Sequence, residues 1–233
     1  MKNKFPSTAH LALALVSLIP LAVESHDEIP GPPQKQPIAI VGGTIYPIAS
    51  PPIENGTLLF DKGKIVAVGK TVKLPPNTLK INIPGKKVFP SLFESHSQMG
   101  LIEIGAVNAS DDRREIGNLN PNVKAQVAVN PDSEVIPVTR SNGVLLALTA
   151  PRGNLVAGKS AIIQLDGWTY EEMTVKAVAA MSLNWPPVPS PIPDISKSRK
   201  TDSLQRETDP LSTLEKLFDD TRAYSQALKS QAI

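Results

Sequence analysis

The chain has 233 residues, with 24 Lys and Arg against 22 Asp and Glu, a formal net charge of +2 and 41% hydrophobic residues. This length suits one or two globular domains, and the nearly balanced charge gives no overall attraction to nucleic acid or to an anionic membrane. Cys is absent, which excludes disulfides, thiol catalysis and cysteine-ligated metal clusters. Aromatic residues make up only 4%, too few for a base-stacking surface. We therefore expect no nucleic-acid partner.

Residues 1–25 have the pattern of a secretory signal peptide. The basic start at residues 1–4 precedes an apolar run at residues 11–23, and the small Ser25 follows at a cleavage-like spacing. A membrane-spanning helix needs about 20 apolar residues, whereas this run is shorter and contains Pro20. We expect cleavage after Ser25, a periplasmic or secreted location in a bacterium, and no stable membrane anchor afterwards.

Short β-strands are predicted from Ile38 onward, after a Pro-rich spacer at residues 26–37. Two runs rich in β-branched residues flank Asp61-Lys62-Gly63, which indicates a hairpin turn. Pro84-Gly85 predicts a second turn of the same kind. These signals indicate a small N-terminal β subdomain over residues 38–92.

The pattern after Val88 predicts alternating strands and helices. One strand ends near His96, a polar loop covers 105–120, and a short helix begins at Asp132 or Ser133 and stops at Asn142-Gly143. The remaining predicted elements are a strand at 144–149, an apolar run at 161–168 and a helix at 174–183. This alternation predicts βα units and a parallel sheet.

The C-terminal part contains a linker and an amphipathic helix. Residues 185–194 include five Pro, which disfavours helix and sheet alike. Asp209 as N-cap and Pro210 at the first helical position then open a helix with Leu and aromatic residues at helical spacing. The predicted organisation is signal peptide 1–25, Pro-rich spacer 26–37, β subdomain 38–92, α/β segment 93–185, linker 186–208 and C-terminal helix 209–233.

The segment from Gly153 to Ser160 matches G-x-x-x-x-G-K-[ST], the phosphate-binding loop of many nucleotide hydrolases. A working loop of this kind runs directly into a helix, whose first amides hold the phosphates. Here the continuation is Ala161-Ile-Ile-Gln-Leu, which favours a strand. We therefore favour a Gly-rich connection that packs against or frames a site.

His96 and Gln98 are the candidate metal residues. Alternate residues of a strand point to the same side, so the two side chains could face one ion. Imidazole is a good ligand, but a neutral carboxamide is a poor one for zinc. Glu103 and Asp166 are weaker candidates for active-site carboxylates, with a surface or capping role the simpler interpretation. We expect Asp111 and its acidic neighbours to form a solvated face.

The chain resembles the start of the metal-dependent amidohydrolase superfamily, especially its imidazolonepropionase-like secreted group. The resemblance rests on GGTIYP, ENGTLLFDKGKIVAVG and the run GKKVFPSLFESHSQMG. The last of these stands where the family has P-G-L-I-D-x-H-x-H at the end of the first barrel strand. Pro90, Leu92 and His96 match that motif, whereas Gln98 replaces its second metal-binding His.

The resemblance implies an α/β fold, in which a β-sandwich-like portion precedes the first βα units of an incomplete TIM-type barrel. A whole barrel takes about 250 residues, and too few follow His96 to supply one. The family's remaining ligands, a Lys or Glu, two further His and an Asp, lie on later strands. We therefore expect the chain to retain no zinc-like divalent metal, although the family depends on one.

The functional expectation is a truncated, secreted member of the family. Its ancestral activity is metal-dependent hydrolysis of non-peptide carbon–nitrogen bonds, and the chain alone is expected to be inactive. Two alternatives stay open: a non-catalytic periplasmic binding module, and one half of a split enzyme whose barrel is completed by a second chain.

Overall fold

The computed structural model describes residues 29–186 and 210–230. The predicted signal peptide and nearly all of the predicted linker lie outside these residues. The described part is mixed α/β, built mostly of sheets. Its strands are β1 (Ile38–Ile45), β2 (Ile53–Asp61), β3 (Lys64–Gly69), β4 (Leu79–Asn82), β5 (Lys87–Val88), β6 (Leu92–Ser97), β7 (Val144–Thr149), β8 (Val156–Gln164) and β9 (Thr174–Leu183). Its helices are α1 (Val135–Ser141), α2 (Tyr170–Met173) and α3 (Pro210–Lys229), with 3-10 turns at Asn108–Ser110 and Ala125–Ala128.

The first sheet has the strand order β3-β2-β1-β4, and β5 also pairs with β1. Strands β2 and β3 form the antiparallel hairpin that the sequence predicts, because Asp61 pairs with Lys64 across the turn. Lys62 and Gly63 occupy this turn with positive φ angles of 49° and 70°. Left-handed backbone at both central residues is typical of a tight hairpin turn.

The second turn does not form a hairpin, which corrects the sequence prediction. Strands β4 and β5 both run parallel to β1, so Pro84-Gly85 interrupts one edge strand rather than reversing the chain. The interruption lies close to Gly43, where an added Cβ would sit 2.6 Å from Ile83 Cδ1 and 2.9 Å from the Lys86 carbonyl oxygen. Gly43 thus admits a close backbone approach that any side chain would block.

The second sheet has the order β6-β7-β8-β9 and carries the candidate site. Strands β6 and β7 are parallel, and α1 lies in the connection between them. Helix α1 ends where the sequence predicts, because Asn142 is its C-cap and Gly143 has a φ of 88°. Strand β7 follows at once, with the predicted limits.

The rest of this sheet is antiparallel, so the prediction of a wholly parallel sheet is wrong beyond β7. Strand β8 pairs antiparallel with both β7 and β9. Only residues 150–155 connect β7 to β8, whereas a parallel crossover takes a dozen residues or more. The predicted helix at 174–183 is strand β9 instead, because pairing along β8 outweighs the helix propensity of its Ala and Met residues.

The largest apolar cluster packs between one face of the second sheet and the segments that cover it. Ala147 and Ile163 contribute from the sheet, Ile136 from α1, and Leu101 and Val129 from the long β6–α1 connection. Helix α3 joins a second cluster, in which Leu214 contacts Leu155 and Val156. Among the residues described, no helix is long and apolar enough to cross a membrane.

Candidate functional site

A cleft of about 510 Å³ lies where β6 and β7 end, at the carboxyl edge of the parallel strand pair. Parallel pairs of this kind commonly place binding groups at that edge. Apolar lining comes from residues such as Leu148 and Met181. The polar side chains of the lining are those of His96, Gln98, Arg152, Ser160, Ser182 and Asn184.

The position of His96 depends on an irregularity near the end of β6. Glu94 pairs with Ala147 and Ser97 with Thr149, so two residues of β6 lie opposite Leu148 alone. Hydrogen bonds from Ser97 Oγ to the Leu148 carbonyl (3.3 Å) and from the Ala150 amide to the Ser97 carbonyl (2.9 Å) hold the strand end against β7. His96 is exposed beside this anchor, and its imidazole has no partner among the described residues.

Gln98 is half-buried and contacts a cation. Arg113 Nη1 donates a hydrogen bond to Gln98 Oε1 at 3.2 Å. The same guanidinium forms a bidentate pair with Asp111, from Nε to Oδ1 at 2.7 Å and from Nη2 to Oδ2 at 2.6 Å. Both charged side chains are largely buried, with 17% of Arg113 and 11% of Asp111 exposed. The prediction of a solvated face is therefore wrong for Asp111.

This ion pair shifts both protonation equilibria toward the charged forms. The hydrogen bonds from Arg113 lower the pKa of Asp111 from 3.8 to about 2. Asp111 in turn raises the pKa of the Arg113 guanidinium. Arg113 thus stays cationic and fixed next to Gln98. Its signal in the sequence is the Asp-Asp-Arg-Arg run at 111–114, since a planar guanidinium suits a nearby carboxylate.

The sheet side of the cleft is lined by hydroxyl and amide groups. Ser160 is buried, and its Oγ lies 2.7 Å from Ser182 Oγ across the β8–β9 pair. Asn184 Nδ2 donates to the carbonyl oxygens of Gly153 and Asn154 at 2.7 and 2.6 Å, which ties the end of β9 to the β7–β8 connection. These contacts fix the β7–β8 connection that bears Arg152.

The segment that matches a phosphate-binding loop has another structure. Its second half is the start of β8, and the strand continues to Gln164 with no helix after Ser160. Gly158 has a φ of 137°, and a Cβ there would lie 2.9 Å from Val123 Cβ. The glycine is thus required by packing and by backbone conformation. Of the segment from Gly153 to Ser160, only its first three residues belong to a connection, and Ser160 lines the cleft from strand β8.

The two weaker carboxylate candidates lie outside this lining. Asp166 Oδ1 accepts a hydrogen bond from Arg140 Nη1 at 2.5 Å, and both residues line a separate cavity of about 210 Å³. Glu103 has one buried carboxylate oxygen without a hydrogen-bond partner among the described residues. Neither residue is brought together with His96.

The residues at the cleft do not fit a divalent metal. Within residues 29–186 and 210–230, no three His, Cys, Asp or Glu side chains converge as ligands. The oxygen of Gln98, the atom that a metal would use, already accepts a hydrogen bond from a cation. A metal ion there would replace that bond and face the Arg113 guanidinium, whose like charge disfavours it. Arg152, a further cation, belongs to the lining of the cleft.

No protein-family model matches the chain, and neither does any curated protein. Among solved structures, an amidohydrolase from Thermotoga maritima is similar, with 29% identity and a TM-score of 0.58 over 63% of this chain. This chain spans 38% of that protein's length. A weaker match is a prolidase in complex with N-methylphosphonate-L-proline, at 18% identity and a TM-score of 0.36, which covers 48% of this chain and 25% of that one. Another is an ochratoxinase from A. niger, at 18% identity and a TM-score of 0.29, which covers 47% of this chain and 24% of that one. The structural similarity that carries weight is thus the one to the Thermotoga amidohydrolase, over 63% of this chain.

Proposed function

We propose that the chain is a member of the amidohydrolase superfamily whose cleft has lost the family's metal site, so that it does not hydrolyse carbon–nitrogen bonds by itself. The observation that carries this proposal is the hydrogen bond from Arg113 to Gln98 Oε1, at the position of a metal-binding His in the motif. The positive charge of the Arg113 guanidinium disfavours a divalent cation at the same atom.

The family assignment is supported by the similarity to the Thermotoga protein, at 29% identity and a TM-score of 0.58. In this proposal, β6, α1 and β7 correspond to the first βα unit of a barrel, and β8 with β9 form an antiparallel extension beside it. The chain spans 38% of that protein's length, so a whole barrel and its activity are part of this proposal only.

The test is a hydrolysis assay on the purified full chain with cyclic amides and imides, in the presence of Zn²⁺, Mn²⁺ or Co²⁺. We expect no turnover above the metal-only background. The Gln98→His variant restores the second motif imidazole and serves as a comparison; it too is expected to be inactive, because the described residues offer no further ligand cluster. Metal-dependent turnover that disappears in His96→Ala would contradict the proposal.

A second candidate function is a subunit that binds another chain, either as a non-catalytic module or as one half of a split enzyme. Strand β6 is an edge strand among the described residues, and it exposes 62% of Leu92 and 47% of Phe93. An open edge with exposed apolar residues is a typical strand-pairing surface. If this function is correct, a tagged chain recovered from its native cells carries one companion chain in equal amount, and Phe93→Lys removes that companion. Recovery without a companion would count against it.

Export is also part of the proposal, and it rests on the pattern of residues 1–25 alone. Mass spectrometry of the protein from its native cells is expected to give a mature chain that begins at His26. An intact N-terminus in the cytoplasmic fraction would refute export.

A further inference from the structure

The lining of the cleft includes a cation and no carboxylate. Arg152 belongs to it, whereas no Asp or Glu does. The Arg152 side chain has no ion-pair or hydrogen-bond partner among the described residues. Arg140 differs from Arg152 in this respect, because it lines the smaller cavity and forms an ion pair with Asp166. The lining of the larger cleft therefore includes the exposed cation Arg152 and no Asp or Glu.

The neutral polar groups of the cleft retain hydrogens to donate. Arg113 has only donors, so its bond fixes Gln98 with Oε1 toward the guanidinium, and the Nε2 amide is left without a partner in the described residues. In the pair of Ser160 and Ser182, one hydroxyl donates to the other, and the accepting hydroxyl keeps its own hydrogen for a third group. The imidazole of His96 is unpartnered as well.

A guanidinium, an imidazole, an amide and a hydroxyl together match the acceptors of an oxyanion. Arg recognises planar carboxylates and phosphates through paired N–H donors, and such charge-assisted bonds are stronger than neutral ones. The volume of about 510 Å³ suits a small molecule rather than a polymer segment. The apolar residues Leu148 and Met181 would contact the uncharged part of such a ligand.

We propose that this cleft binds the carboxylate or phosphate group of a small anionic molecule, with Arg152 as its main contact. The inference goes beyond the proposed function: it rests on the lining of the cleft, and it requires neither membership of the family nor contact with another chain. It places an anion where the motif of the family would hold a cation.

The test is calorimetric titration of the full chain with inorganic phosphate and, separately, with succinate, at low ionic strength. We expect saturable binding of at least one probe, which Arg152→Gln weakens about tenfold or more. Arg222→Gln is the matched control, because it removes the same charge from an exposed position on α3, where Arg222 is paired only with Asp219. The control is expected to bind as the unmodified chain does.

The two probes distinguish the two ligand sources. Binding of phosphate alone assigns a phosphate ligand, and binding of succinate alone assigns a carboxylate. Gln98→Glu provides a second variant, since a carboxylate in the lining should abolish binding of either probe by repulsion. Thermal unfolding of each variant verifies that it is folded. Binding of neither probe, or binding that Arg152→Gln and Gln98→Glu leave unchanged, would overturn the proposal, whatever the hydrolysis assay shows.

Discussion

At the scale of single residues, the character of the site follows from what Gln98 contacts. A carboxamide can donate or accept, so its neighbours decide what it offers to the cleft. Arg113 donates a hydrogen bond to the Gln98 oxygen, and two further hydrogen bonds from Arg113 to Asp111 hold the guanidinium in place. Gln98 Oε1 is thus occupied by a guanidinium 15 residues further along the chain, whose positive charge disfavours a metal ion at this atom.

The Asp111–Arg113 pair predicts a pH dependence of folding stability. The pKa of Asp111 falls from 3.8 to about 2 on folding, so its contribution to stability is fully present above pH 3.8 and is lost as the pH falls toward 2. Urea unfolding at several pH values should therefore show Asp111→Asn less stable than the unmodified chain at pH 7, with a difference that shrinks below pH 4. Asp112→Asn removes the same charge at the exposed neighbouring position and should have a smaller effect. A difference that is constant with pH would contradict the pairing.

At the scale of elements, α3 docks through one end of its apolar stripe. Leu214 is 2% exposed and contacts Leu155 and Val156, with Leu217 packed beside it. Further along the helix, Phe218, Tyr224 and Leu228 are at least half exposed. The first turns of α3 thus fix it to the start of β8, and the rest of the helix adds little apolar burial in the described part.

Leu214→Ala should therefore weaken the docking of α3. Loss of a fully buried leucine side chain costs about 2 to 5 kcal/mol, and the peripheral position of α3 favours the lower end of that range. Leu228→Ala is the control; because Leu228 is 50% exposed, we expect a change within about 0.5 kcal/mol. Hydrogen exchange of the α3 amides measures both effects. Equal protection of α3 in the two variants would show that the contact with β8 does not hold the helix.

At the scale of the whole molecule, local patterns were sufficient for some features and long-range pairing decided the others. The turn at Lys62-Gly63 and the helix stop at Asn142-Gly143 are set by residues that favour left-handed or helix-ending backbone, so the sequence predicted both. The direction of β8 and the strand conformation of β9 depend on partners far along the chain, which periodicity does not report.

The residues of the candidate site also divide into those that a local pattern identifies and those that only the fold places. His96 and Gln98 could be selected from the sequence because they stand in one motif. The Asp-Asp-Arg-Arg run at 111–114 indicates an ion pair for Arg113 but not its contact with Gln98, which depends on the fold of the long β6–α1 connection. Arg152 has no such signal, because its place depends on the fold of the β7–β8 connection. The backbone bond from the Arg152 amide to the Arg113 carbonyl, at 2.6 Å, joins these two segments. Tertiary contacts of this kind place Arg113 beside Gln98 and Arg152 in the lining of the cleft.

The most direct test of the account is the zinc content of the full chain after equilibration with excess Zn²⁺ and exhaustive dialysis, measured by atomic emission. We expect far less than one zinc per chain, and no difference between the unmodified protein and His96→Ala. One or more tightly held zinc ions per chain, lost in His96→Ala, would contradict the claim that Gln98 and its arginine neighbour have closed this position to metal.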